Sequence, residues 1–315
     1  MIETYIRDGE KKLQEQGVAS KYTAVPGNSQ RIAREYMDSI LIEMRAIDSV
    51  IASTKMDLFG ESFTTPVMTA ALSGLNNVHP GGMAEVARGA AAAAAVMWAG
   101  IGDEQELRAM IETGAKVVKI IKPYADTDKV FEKIVQAEKY GAFAVGMDID
   151  FVFGSKTQKY LAQGNPVSPK TMEDIKSFIK ATKLPFILKG VLSERDAEKA
   201  LETGASGIFV SHHGGSVLDY AVPPLMVLPR IAKVIDRRIP IFVDSAVSSG
   251  ADVFKALALG AKAVCVGRAV MAGLASEGAG GVRKVIEGMT EELQRVMNIT
   301  GSPDAGSIDP DILWR

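Results

Sequence analysis

The sequence predicts a single α/β domain of the (β/α)8 TIM-barrel class, and three observations carry that prediction. From residue 65 onward one unit recurs eight times: a short apolar, β-rich run, a polar or glycine-rich turn, then a stretch with helical periodicity. The strand runs are apolar on both faces, as in a parallel sheet rather than a sheet with one wet side. The length of 315 residues suits one closed barrel with an extension, since such barrels run to about 250 residues or more as one unit.

Taken in order, the strand candidates are 65–71, 95–100, 116–122, 142–150, 185–191, 207–213, 239–245 and 263–268. Between them lie helical stretches such as "DEQELRAMIETG", "TDKVFEKIVQAEKYG", "TMEDIKSFIKATK" and "SERDAEKALETG", several with an acidic or hydroxyl start and a glycine stop. Residues 1–64 lack the repeat. They read as one or two amphipathic helices, a loop at "TAVPGNSQ" and a short extended piece near "IDSVIAST", packed on a barrel spanning 65–300. The tail, 301–315, is rich in Pro, Gly and Asp and is expected to dock through Ile312, Leu313 and Trp314.

Composition narrows the function. With 36 Lys and Arg against 38 Asp and Glu, there is no basic field of the kind that binds nucleic acid or an anionic membrane. A small-molecule substrate is the expected partner. The N-terminus is charged, without the apolar core of a secretory signal, and the run "GAAAAAAVMWAG" is too short to span a bilayer. The lone Cys265 sits in an apolar run and reads as a buried thiol; a cytoplasmic location is expected.

Barrel enzymes place their chemistry at the carboxyl ends of the strands. Here those ends supply Asp148 and Asp150, Lys189, His212 and His213, Asp244 and Ser245, and Gly267 and Arg268. Any one of these could be a cap, an ion pair or a hydrogen-bonded bend. Their convergence on one mouth favours an active site. The stretch after the eighth strand, "GRAVMAGLASEG", combines a glycine, an arginine and a helix start, the common phosphate site of this fold. His79 has no ligand-spaced partner, so no metal site is expected, and "GAGGV" near residue 280 does not follow a strand, so dinucleotide binding is unsupported.

The segments "LPFILKGVLSERDAEKALETGASGIFVSHHGGSVLD" and "IPIFVDSAVSSGADVFKALALGAKAVCVGRAVM" resemble the FMN-dependent 2-hydroxy acid dehydrogenase and oxidase family. The likeness covers residues 65 to about 300, with a weaker echo in "NSQRIAREYMDSI". It implies FMN as cofactor, Lys189 beside the flavin, His213 as the base that takes the substrate proton, and Asp148 as the partner of that histidine. By the same resemblance the cofactor would meet Ala71, Leu72, Ser73, Gly100, Gly146, Lys189, Asp244, Ser245, Ala246, Ser248, Gly267 and Arg268. Ser248 stands where the family has a phosphate-binding arginine. Oligomerisation, as a tetramer, is also implied.

The substrate side departs from the pattern. The arginine that pairs with the substrate carboxylate is Ser216 here, and the substrate-contacting tyrosine of the third strand falls near Ile120; Tyr22 is a poorly aligned candidate for a second tyrosine. A serine cannot replace a bidentate guanidinium. Lys122, Lys119 and His212, which replaces the family's asparagine, stay open as anchors for a carboxylate. Two other readings compete: a Schiff-base lyase or isomerase using Lys189, and a non-catalytic flavin-binding relative.

Overall fold

The computed structural model describes residues 2–18, 27–47, 49–157 and 159–315. Eight parallel strands form one sheet: β1 (Val67–Thr69), β2 (Val96–Ala99), β3 (Lys116–Ile121), β4 (Ala144–Asp148), β5 (Phe186–Val191), β6 (Gly207–Val210), β7 (Ile241–Val243) and β8 (Ala263–Val266). Each pairs with its sequence neighbour from β2 to β8, and β8 pairs back to β1. The seam between β1 and β2 closes through a single bridge, Leu72 to Ala99. There Trp98 N donates to the side-chain Oγ1 of Thr69 at 3.1 Å, so a hydroxyl accepts the amide that a longer ladder would have paired.

Strand parity fills the barrel. Met68, Trp98, Val118, Ile120, Ala144, Ile187, Phe209, Phe242 and Cys265 face inward, and Trp98 meets Phe209 and Phe242 edge-on at 4.9 Å each. At the amino end of the strands a hairpin, Met56–Leu58 with Glu61–Phe63, caps this interior, Phe63 packing on Phe143 at 5.6 Å. The opposite end is therefore the open one. Continuing the same parity upward carries Lys122, Asp148 and Lys189 into the mouth.

The chain-order helices are α1 (Ile2–Glu15), α2 (Ser29–Ser39), α3 (Gly82–Ala92), α4 (Glu104–Ile111), α5 (Thr127–Tyr140), α6 (Met172–Lys180), α7 (Glu194–Thr203), α8 (Pro224–Ile235), α9 (Gly250–Ala258) and α10 (Arg268–Ile299). Their starts follow the expected chemistry: Asp103, Asp126, Thr171, Ser193 and Ser249 each accept a backbone N–H of the first turn, Thr171 in a reciprocal box with Asp174. Gly141 and Gly204 end α5 and α7 at φ 81° and 82°. α10 breaks at Glu277 and Gly278, where the backbone leaves helical geometry.

Three local expectations are corrected. Among the described residues, the extended piece expected near residues 47–54 makes only an isolated bridge, Ser53 to Asp304, and the strands lie just after it, at 56–63. Ile312 and Leu313 are buried, but Trp314 is 63% exposed, because pairing Leu313–Trp314 with Leu41–Ile42 alternates the side chains and turns the indole outward. The strands are also shorter than the apolar runs, since the outer residues of each run have entered the loops. Among the described residues no helix is long and apolar enough to cross a membrane.

Candidate active site

β4 and β5 run in register with Asp148 opposite Lys189, which sets both side chains at one level of the mouth. Lys189 Nζ donates to Asp148 Oδ1 at 2.9 Å, and Lys122 Nζ, one residue past β3, donates to Oδ2 at 2.7 Å. All three groups are buried. Burial alone would raise the Asp148 carboxyl, but the ammoniums of Lys122 and Lys189, with His213 behind them, hold it well below the usual carboxylate range. Burial also opposes charge on Lys189, and Asp148, Asp150 and Asp244 overcome it, raising that ammonium above the ordinary lysine value. For Lys122 burial wins over Asp148 and lowers it. Its Nζ also lies 3.7 Å from the centroid of the Phe151 ring.

His213 follows β6 with φ 54°, in the left-handed region, and Gly214 and Gly215 continue there at 62° and 75°. A non-glycine residue in this conformation costs of order 1 kcal/mol and persists because its surroundings fix it. Here its N–H donates to Ser211 Oγ at 3.0 Å, while its carbonyl accepts from Ser216 Oγ at 2.7 Å. The imidazole Nε2 lies 3.4 Å from Lys122 Nζ. Nδ1 faces the Asp150 carboxylate at 3.2 and 3.3 Å, and Asp148 Oδ1 at 3.7 Å. Asp150, one of the strand-end residues but without an assigned role in the sequence reading, thus joins the cluster.

The expected substrate residues separate. The Ser216 hydroxyl is turned back onto the His213 carbonyl. Ile120 is buried in the barrel interior, below the mouth, its Cδ1 within 2.9 Å of where a Cβ on Gly146 would lie. Lys122, two residues further along the same inward row, is the one beside the histidine. Lys119 falls on the opposite parity: its Nζ donates to the Gly100 carbonyl at 2.5 Å, and burial draws it down to about 8. This removes it from the possible anchors. His212 is buried, with Nδ1 3.2 Å from Ser245 Oγ and Nε2 without a hydrogen-bond partner among the described residues; burial lowers its pKa. Tyr22 lies outside the described residues.

On the other side of the mouth, a cavity of about 200 Å³ is lined by Ala70, Leu72, His213, Asp244, Ser245, Ala246, Gly267 and Arg268, among others. A second cavity, about 300 Å³, shares Gln30, Ala246, Val247 and Arg268 with it and adds Arg31, Arg34 and Ser248. Gly267 caps α10 with no side-chain hydrogen bond and lines the first cavity, and Arg268, the first residue of this long helix, lines both, so an uncapped helix start borders the space. An apolar wall, a cationic end and an open helix start fit the flavin and phosphate parts of FMN. Ala71 and Ser73 lie beside Leu72 at the β1–β2 seam, where a Cβ on Gly100 would meet Ser73 Oγ at 2.4 Å. Gly146 lies beneath Asp148 in β4. Asp244 accepts from Ser245 Oγ at 2.9 Å.

Ser248 is engaged elsewhere: its N–H and Oγ reach Asp252 Oδ2, and Arg34 Nη1 donates to Ser248 Oγ at 3.1 Å and to the Ala246 carbonyl at 2.6 Å. Arg34, on α2, is a residue that strand-end reading misses. Its only signal was the faint likeness in the stretch around it. Asp148, Asp150 and His213 are close enough to surround a cation, yet two ammoniums already occupy the Asp148 oxygens, which disfavours a metal.

The family model described as "FMN-dependent dehydrogenase" matches residues 21–173 and 166–315. Glycolate oxidase of Spinacia oleracea is 30% identical over 298 residues, 83% of this chain and 79% of that protein. A 2-hydroxyacid oxidase of Dictyostelium discoideum is 44% identical over 144 residues, 46% of this chain and 37% of that protein. Among solved structures, a lactate oxidase of Pediococcus acidilactici superposes with a TM-score of 0.89 at 27% identity, over 98% of this chain and 92% of that one. Mandelate oxidase with (S)-4-hydroxymandelic acid gives 0.88 at 26% identity, over 98% of both chains. With the barrel, the charged mouth and a fitting cofactor cavity in place, the chain belongs to the FMN-dependent dehydrogenase family, with FMN as its cofactor and oxidoreduction as its class of reaction.

Proposed function

We propose that the protein oxidises a small 2-hydroxy acid to the 2-oxo acid, with His213 as base and Lys122 as the cation that meets the substrate. The observation that carries this reading is the contact of His213 Nε2 with Lys122 Nζ at 3.4 Å. Lys122 Nζ offers protons to Nε2 and the Asp150 carboxylate accepts at Nδ1, and together they favour the ring proton on Nδ1. A substrate hydroxyl that displaces the Lys122 contact would meet the Nε2 lone pair, which takes its proton. Lys122, beside it, offers a positive charge for the carboxylate or the developing alkoxide. This supplies at β3 the cation that Ser216 does not.

When bound, FMN would supply the acceptor for the hydride that leaves the substrate carbon. Asp244, Ser245, Ala246, Gly267 and Arg268 would hold it with Ala71, Leu72, Ser73, Gly100 and Gly146, while Lys189 sets a fixed positive charge at the mouth to balance a reduced ring. A raised, ion-paired Lys189 is a poor nucleophilic amine, which argues against the Schiff-base reading. The same reading places residues 1–64 and 301–315 as additions to the 65–300 barrel, working as a homo-oligomer in the cytoplasm; the buried, unpaired Cys265 supports a reducing compartment.

The test is anaerobic bleaching of the FMN-loaded protein by a panel of 2-hydroxy acids. Reduction by at least one acid is expected, with a loss of about 10²-fold or more in the Lys122→Met variant at subsaturating acid. Protein that binds FMN but is reduced by none of the acids would be a non-catalytic relative, and protein that takes up no FMN would end the proposal.

A further inference from the structure

We infer that Asp150, rather than Asp148, is the residue that orients His213. The inference builds on the role of His213 as base, but concerns which carboxylate fixes its proton.

Asp148 stands at the family's histidine-partner position, yet its two oxygens are taken by Lys122 and Lys189 at 2.7 and 2.9 Å. It lies 3.7 Å from Nδ1, beyond hydrogen-bond length. The Asp150 oxygens lie at 3.2 and 3.3 Å from the same nitrogen. Every charged group facing the ring takes part in this division. From β3, Lys122 meets Nε2; from β4, Asp148 and Asp150 face Nδ1; from β5, Lys189 Nζ lies 3.5 Å from Nδ1 but donates to Asp148. Phe151 packs on the ring at 5.2 Å. Asp150 is the nearest acceptor for a proton on Nδ1, and Lys122 at Nε2 favours the same arrangement.

The backbone makes room for this. After Lys189 the β5–β6 register slips, and Gly190 takes φ 98°. A Cβ on Gly190 would lie 2.5 Å from the Asp150 Cγ and 2.6 Å from its Oδ1. The carboxylate occupies space that exists only because residue 190 is glycine. Asp150 is thus a positioning residue, acting through His213. Asp148 instead neutralises the two lysines.

Histidine-selective ¹⁵N labelling of the FMN-loaded protein tests this directly, because the chain has only 3 histidines and His213→Gln identifies the relevant signals. The wild type should show the Nδ1–H tautomer at His213. Asp150→Ala should weaken that preference, and Asp150→Asn, whose amide oxygen still accepts, should retain it. With a reducing acid, Asp150→Ala should lower the flavin reduction rate by about 10²-fold with little change in the acid's apparent affinity. Asp150→Asn should lie between the two. An unchanged tautomer in Asp150→Ala overturns the inference, even if activity falls. Because the spectrum needs no turnover, a protein reduced by no acid still decides the role of Asp150 separately from the proposed reaction.

Discussion

The two sides of the barrel mouth are built by different means. On the β3–β6 side, Lys122, Asp148, Asp150, Lys189 and His213 hold one another through direct charged contacts at the ends of regular strands. On the β7–β8 side the chain turns through Ser245 and Ala246 at φ 85° and 60°, left-handed values that favour glycine. That turn is held from outside, by Arg34 on α2, whose guanidinium reaches the Ala246 carbonyl and pairs with Asp252 at 2.7 Å. The chemical side is therefore fixed by charges it cannot lose singly, whereas the cofactor side is a strained turn, kept in place by a helix from the N-terminal extension.

The largest effect should follow from breaking the charged side. Asp148→Asn leaves two buried ammoniums without the carboxylate between them, and removing one partner of such a group typically costs about 3–5 kcal/mol. Urea unfolding of the variant should show that loss near neutral pH. A decrease of under about 1 kcal/mol would mean that Asp148 is not what holds this side together. The depressed carboxyl also fixes the direction of pH dependence: its contribution is fully present above the ordinary carboxylate range and is lost only as pH falls far below it.

A smaller pair of effects, opposite in sign, sharpens the contrast. Gly190→Ala forces a Cβ against Asp150 at φ 98° and should destabilise by roughly 2 kcal/mol. Ala246→Gly relieves a left-handed alanine, a gain of about 1–2 kcal/mol, set against about 0.8 kcal/mol for one buried methyl. A modestly higher Tm and FMN affinity no weaker than wild type are expected. If both glycine exchanges moved stability in the same direction, the two sides would not differ as described.

Much of this architecture was legible in the sequence because it rests on local rules. Strand parity, Asp103, Thr171 and Ser193 as helix starts, and Gly141 and Gly204 as stops all act within a few residues. Inward parity also connects Ile120 with Lys122, so the neighbour of the histidine lay two residues from the position that motif alignment selected. Asp150 was not legible as the acceptor for His213, since that depends on the register slip after Lys189 and the positive φ of Gly190. Arg34 was not either: its ion pair with Asp252 spans 218 residues, and no local pattern encodes such a contact.

The smallest expected effect tests whether the N-terminal extension also steadies the histidine loop. Asp219, six residues after His213, accepts from the backbone N–H of Asn28 at 2.6 Å and of Ser29 at 3.1 Å, tying the start of α2 to the loop that carries the base. Desolvation opposes charge on this carboxyl, but the N–H groups of Asn28, Ser29 and Tyr220, with Lys156, draw it down to about 2. A lowered carboxyl stabilises the fold above its unfolded value, near 3.9, and that contribution fades as pH drops toward 2. Asp219→Asn should therefore lower Tm by a few degrees at pH 7, and the gap from wild type should close as the pH is lowered through that window. Hydrogen exchange at Asn28 and Ser29 should quicken in the variant at neutral pH. A Tm gap that stays constant down to pH 2 would show that charge on Asp219 does not hold α2 to the loop, leaving contacts such as those of Arg34 with Ala246 and Gln30 with Arg268 to tie the extension to the mouth.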